Sequence, residues 1–231
     1  MNCRPQSTAV NGRKKALLVA LTILTAPSLA YEVPVADLTA WKVLSYRYIA
    51  ANRVAVNSGT LHIAVDKSAS PLIYKLEEPL KVVAVTLDAN WAGGLQIPPN
   101  AIQGEDGADD FVLKLGIVES GDRTLNWLQR RIAADWVRQL FKLAPADTGI
   151  KRINFLSTTQ QQGLVGSARG HPLSELLYET RVTHLPSVGE FSMSYRFPEP
   201  VDVLGLWISA DGDDTLSTFD LQIRRITLHG E

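Results

Sequence analysis

Two short acidic runs carry the densest potential chemistry in the chain: Glu105-Asp106-Gly107-Ala108-Asp109-Asp110 and Asp211-Gly212-Asp213-Asp214. Carboxylates this close repel one another unless they are separated, solvated or bridged by a cation. Calcium is the natural bridge, because it gathers six to eight oxygen ligands from loops. The second run therefore presents Asp211, Asp213 and Asp214 as candidate calcium ligands, although it lacks the glycine at position six and the acid at position twelve of an EF-hand loop. A polar turn capped by Asp and Gly accounts for the same residues without a metal. A third possibility is glycoside hydrolysis, which needs two carboxyl groups about 5 to 9 Å apart, one as acid and one as base or nucleophile. Asp109 and Asp110 are adjacent, so on a strand they point to opposite faces and only one of them faces any given site.

A second constellation lies in residues 163–172, a glycine-rich stretch ending in Arg169, Gly170, His171 and Pro172. Its backbone N–H groups could cradle an anion, with Arg169 adding charge. It fits neither a phosphate-binding Walker loop nor the nucleophile elbow of a hydrolase, so Ser167 is a poor nucleophile candidate. His171 reads either as a site residue or as a structural histidine beside a turn, and no HExxH or multi-histidine spacing occurs. Of the five tryptophans, Trp127, Trp136 and Trp207 fall on apolar faces and read as core. Trp91, in Asn90-Trp91-Ala92-Gly93-Gly94, stands where a strand gives way to a loop and could stack on a sugar face. The candidate ligand contacts are thus Trp91, Asp109, Asp110, Arg169 and His171.

These residues must be positioned by strands. Alternation of apolar and polar residues, the period of a half-buried strand, runs through Leu61, Ile63 and Val65 and through Leu72, Tyr74 and Leu76. Phe111, Leu113, Leu115 and Ile117 repeat it, as do Ile153 with Phe155, Phe191 to Phe197 and Leu204 to Ile208. Residues 82–87 and 176–185 are further strand segments. In the last strand Phe219, Leu221 and Ile223 alternate, but Ile226 and Leu228 resume one residue out of phase, which predicts a bulge at Arg224 and Arg225. One segment has a helical period: Leu125, Leu128, Ile132, Trp136, Leu140 and Leu143 predict a single amphipathic helix over 124–143, ended by Pro145 and Gly149. Its basic face reads as the solvated side of a core-packing helix or, alternatively, as a membrane-surface face. Many strands with turns between them and one helix predict a mainly β fold, a two-sheet antiparallel β-sandwich of jelly-roll type formed by residues 31–231 as one domain.

The N-terminus has the layout of a secretory signal: Arg13-Lys14-Lys15, an apolar run over 16–26, and Ser28-Leu29-Ala30. The run is too short to span a hydrocarbon core of about 30 Å. Cleavage after Ala30 is expected, with a periplasmic or secreted product and no transmembrane anchor. It would remove four basic residues, no acidic one and the lone Cys3, taking the net charge from −1 to −5. A thiol-free acidic chain suits an oxidising compartment and lacks the clustered Lys and Arg that nucleic-acid binding requires.

The order of features resembles the bacterial family of uncharacterised exported proteins called DUF3047. The resemblance is carried by Asp109-Asp110 before a strand, by Gly121-Asp122-Arg123-Thr124-Leu125-Asn126-Trp127 and by His171-Pro172-Leu173-Ser174. The stretch from Leu206 through Trp207, Ile208, Ser209 and Ala210 to Asp211-Gly212-Asp213-Asp214-Thr215 completes it. It implies a β-sandwich related to galactose-binding and concanavalin-like modules, with no catalytic residue to carry over. The expected role is binding of a carbohydrate or another cell-envelope ligand in a groove near Trp91, Asp109 and the 163–171 loop. The rivals are a glycan hydrolase using Asp109 or Asp110 with an acid from 211–214, and an envelope scaffold whose helix docks a partner.

Overall fold

The computed structural model describes residue 1, residues 29–171 and residues 174–231. The signal read over residues 1–30 lies outside these residues, apart from its two ends. No described helix is long and apolar enough to cross a membrane.

Eleven strands join one continuous ladder among the described residues. They are β1 (Ala30–Glu32), β2 (Trp41–Val43), β3 (Arg53–Asn57), β4 (Thr60–Asp66), β5 (Leu72–Gly94), β6 (Lys114–Gly121), β7 (Gly149–Thr159), β8 (Ala168–His171), β9 (Ser174–His184), β10 (Gly189–Ser209) and β11 (Thr218–Gly230). Their order is β3-β4-β11-β5-β10-β6-β7-β9-β8, with β1 added to β11 and β2 to β5.

The fold is a β-sandwich, and the long strands make it. Strand β5 has 23 residues, about 75 Å if straight, well beyond the width of a domain of this size. It bends, as β10 does. Its first part pairs with Gly205–Ile208 and its second with residues 189–203 of β10, with register shifts at Arg196/Val201 and Val203/Gly205. The separate strands predicted on either side of Pro79, and of Pro198 and Pro200, are therefore continuous strands. Wrapping the sheet in this way encloses Leu61, Ile63, Leu87, Leu115, Leu206, Leu221 and Ile226, all of them buried.

The predicted bulge is present. Ile223 pairs with Ala89 and Arg225 with Asp88, so Arg224 is the extra residue, and Ile223, Ile226 and Leu228 all stay in the core.

Two expectations are corrected. The sheet is not wholly antiparallel, since β7 and β9 run parallel. The chain turns back after β7 as β8, reverses again, and slots β9 between the two.

The single helix over 124–143 is two helices, α1 (Trp127–Ile132) and α2 (Asp135–Phe141). Ala133 (φ −60°, ψ 145°) and Ala134 (φ −58°, ψ 155°) are extended and break the ladder between them. Leu140 of α2, with Leu143 just beyond it, packs with Val118, Ile150, Ile153, Phe155, Leu204 and Trp207 in a second cluster on the outer face of the sheet. Residues 126–132 are exposed, so Trp127 is not core.

Candidate functional site

Strand register brings the site together on that outer face. Across the ladder, Trp207 of β10 stands opposite Gly116 of β6, Gly116 opposite Phe155 of β7, Phe155 opposite Glu179 of β9, and Glu179 opposite Arg169 of β8. The neighbouring row runs Ser209, Lys114, Ser157 and Arg181. Side chains two apart share a face, so one surface holds the rings of Trp207 and Phe155 beside the charges of Lys114, Glu179, Arg169 and Arg181. Gly116 is required here: a Cβ would lie 2.7 Å from Ile153, 2.8 Å from Phe155 and 3.0 Å from Trp207.

A cavity of about 780 Å³ opens over this surface. One wall is apolar, formed by Trp136 of α2 with Ile153, Phe155, Leu177 and Trp207. Trp136 and Phe155 each meet Trp207 edge to face, with ring centroids 5.9 and 6.3 Å away. Tyr46 and Ile49 come from the segment before β3, and the two acidic loops supply the remaining rim.

Lys114 is the centre of the polar side. Its ammonium lies 3.3 Å from Asp109 Oδ1, 3.6 Å from Asp211 Oδ2 and 4.4 Å from the centre of the Phe111 ring. Burial alone would lower the lysine pKa, but Asp211, Asp109 and Glu179 outweigh it and raise it. Burial pushes the Asp211 carboxyl up to about 6 despite Lys114 and a 2.5 Å hydrogen bond donated by Ser209. For Glu179 burial is overcome by Lys114, then by Arg169 and Arg181, which hold it below the usual carboxylate range. Arg169 Nε donates to Glu179 Oε2 at 2.8 Å, and its terminal nitrogen donates to the Gly104 carbonyl. Gly104 sits at φ +95°, where a Cβ would run into the guanidiniums of Arg181 and Arg169. Tyr46 is pushed up by burial and by Asp211, Asp213 and Asp109.

The sequence candidates divide in two. Asp109, Arg169, His171, Asp211, Asp213 and Asp214 line the cavity together. His171 Nε2 lies 3.9 Å from Asp109 Oδ2. Asp110 also borders it, but its oxygens are engaged: Oδ2 accepts from the backbone N–H and hydroxyl of Thr215, each at 2.6 Å, and Oδ1 from the Asp214 N–H at 3.3 Å. Asp214 in turn accepts the Asp109 N–H at 2.9 Å. The two acidic runs thus clasp each other.

Burial and then Asp110 raise the Asp213 pKa. Among the described residues no group of three or more His, Cys, Asp or Glu side chains is placed to hold a metal ion. The cation between Asp109 and Asp211 is the lysine.

Two expectations fail. Trp91 is 3% exposed, meets Phe219 edge to face and donates its indole N–H to the Ser187 carbonyl at 3.0 Å. Its ring completes the core and is absent from the cavity lining. The glycine-rich stretch is not an anion cradle either, because its residues 168–171 form strand β8 and Arg169 is committed to Glu179.

The residues that sequence reasoning missed are Lys114, Glu179, Arg181 and Trp136. Lys114 carried a signal, since Gly116 and Val118, which share its face of β6, are apolar and leave no exposed row for a charge.

No protein-family model and no curated protein matches the chain. Among solved structures it is similar to a family 11 carbohydrate-binding module from Clostridium thermocellum in complex with a mixed-linked tetrasaccharide (8% identity, TM-score 0.42, covering 89% of this chain and 98% of that one). It is also similar to the xylan-binding module CBM15 (11%, 0.37, 87% and 96%) and to a family 29 carbohydrate-binding module (8%, 0.35, 88% and 87%). At these TM-scores the likenesses carry nothing about the ligand of this chain.

Proposed function

We propose that the protein is an exported, non-enzymatic β-sandwich that binds a carbohydrate of the cell envelope in the Lys114 cavity. One observation carries this reading: the cavity pairs an apolar wall at Trp136 with a polar side whose central charges already compensate one another. A sugar ring has the same two aspects, a C–H face that packs on an aromatic surface and a rim of hydroxyls that donate and accept. Lys114 offers a donor, while Asp109 and Asp211 offer acceptors, in charge-assisted form. Lys114, Arg169 and Arg181 together balance Asp109, Asp211 and Glu179, so a neutral polyhydroxylated ligand suits this inner set better than a bound ion. A glycan array screened with the wild type and Trp136→Ala tests it. Binding confined to the wild type supports the reading, and no binding by either protein removes it.

A second reading is favoured by one relationship. Asp109 and Asp211 each lie within 3.6 Å of one nitrogen, so their oxygens are within about 7 Å of each other, inside the span of glycosidase carboxyl pairs. Release of reducing ends from a bound glycan, abolished by Asp211→Asn, would establish a hydrolase. Prolonged incubation without release would leave binding alone.

A further inference from the structure

Helix α1 buries nothing. Residues 126–132 are all exposed, Trp127 at 73%, Leu128 at 53% and Ile132 at 76%. Six residues are too few to hold a helix in water by themselves. This one is kept by its capping box, in which Asn126 accepts the Gln129 N–H at 2.8 Å and the Gln129 side chain accepts the Asn126 N–H at 2.9 Å. Single exposed apolar residues are ordinary, but three within six positions form a patch that marks a contact surface.

Its charge says what kind of surface. From 123 to 134 the chain carries Arg123, Arg130 and Arg131 and no acid, on a protein that is acidic overall. Of these, Arg123 reaches Glu175 at 3.7 Å and Arg130 Nε donates to the Leu125 carbonyl at 2.9 Å. Asp122 and Asp135 bracket the segment, and Asp135 is engaged by Arg138 at 3.2 Å. A twofold dimer built on this patch would set Arg130 and Arg131 against their own copies, so a second molecule of the same chain is a poor occupant. An interface of apolar depth beneath anionic groups suits it: tryptophan seeks that boundary, and arginine keeps its stem in it while its head reaches phosphate.

We propose that α1 seats this face of the protein on an anionic lipid surface, with Trp127, Leu128 and Ile132 in the headgroup boundary and Arg130 and Arg131 on lipid phosphates. Such a contact is shallow and reversible, since one small apolar patch plus a few cations gives modest affinity. It is independent of the carbohydrate reading.

The test is co-sedimentation of the full chain at low salt with vesicles of phosphatidylcholine alone or mixed with phosphatidylglycerol. The wild type should pellet with the mixed vesicles and remain in solution with the neutral ones. Each arginine near an anionic surface contributes a factor of about five, so R130Q/R131Q should weaken binding by about twenty-five-fold. The W127S/L128S/I132S variant should lose it, and both variants should keep the wild-type melting temperature because α1 packs on nothing. Failure of the wild type to pellet with anionic vesicles overturns the proposal. So does undiminished pelleting of either variant, or a wild-type dimer that the triple-serine variant converts to monomer.

Discussion

The Lys114 ammonium lies 3.6 Å from the Asp211 carboxylate, and both side chains are about nine-tenths buried. Desolvating two charges is costly, and the pair is tolerable only because each has further partners, Asp109 for the lysine and Ser209 for the aspartate.

Removing the cation alone should therefore be severe. Lys114→Met leaves Asp211 buried without its counter-charge and should lower stability by about 3 to 5 kcal/mol in urea unfolding at neutral pH. The double variant Lys114→Met/Asp211→Asn should recover part of that loss. If the two losses simply add, the residues are not coupled.

The same pair makes stability depend on pH in a stated direction. Asp211 titrates near 6 in the folded chain against an ordinary value of 3.8. Between those values the folded state holds a proton that the unfolded state has released, so this residue's contribution falls as pH rises from about 4 to about 6. Over two units the change amounts to at most about 3 kcal/mol. Stability of the wild type minus that of Asp211→Asn should decline across this window and then level off. A rising difference would mean that Asp211 is held below its ordinary range. Glu179, whose pKa is depressed, acts oppositely at lower pH and cancels in the difference.

The two tryptophans should separate stability from binding. Trp91→Ala opens a hole between Phe219 and the Ser187 carbonyl and should cost about 3 to 5 kcal/mol. Trp136 is half-buried against Trp207, so Trp136→Ala should cost less. A Trp136→Ala protein that melts below Trp91→Ala would contradict the placement of both rings.

The bulge in β11 gives a test by deletion. Arg224 is the unpaired residue, and taking it out leaves Ile223, Arg225 and Ile226 in strict alternation, with only the Arg224–Glu190 ion pair lost. Such a surface pair is worth about 1 kcal/mol or less. Deleting Arg224 should yield a folded protein, whereas deleting Gln222 should turn Ile223 outward and Arg224 inward and prevent folding. Equal tolerance of both deletions would show that the register is not fixed there.

That bulge was legible because a phase slip between Ile223 and Ile226 is a local property of the sequence. The strands and the mainly β class were legible for the same reason. The continuity of β5 and β10 was not, since proline residues at 79, 198 and 200 mark turns and bends alike, and only the wrapped sheet decides between them. The helical period runs unbroken from Leu125 to Leu143, yet the chain opens at Ala133 and Ala134, two residues with no local reason to leave a helix.

At the site, the acidic runs were visible as clusters. What lies between them comes from a strand, because Lys114 reaches Asp211 only through the β6–β10 register. Trp91 lies in the core and Trp136 in the cavity lining for a similar reason, as burial of a ring depends on which neighbours the sheet brings to it.

The most direct measurement is calorimetric titration of the strongest array oligosaccharide into the wild type, Trp136→Ala and Trp91→Phe. Loss of the aromatic wall should weaken Trp136→Ala by about tenfold or more, as aromatic contacts of this kind contribute above 1 kcal/mol. Trp91→Phe should bind as the wild type does. Undiminished affinity in Trp136→Ala would contradict the placement of the sugar in the Lys114 cavity.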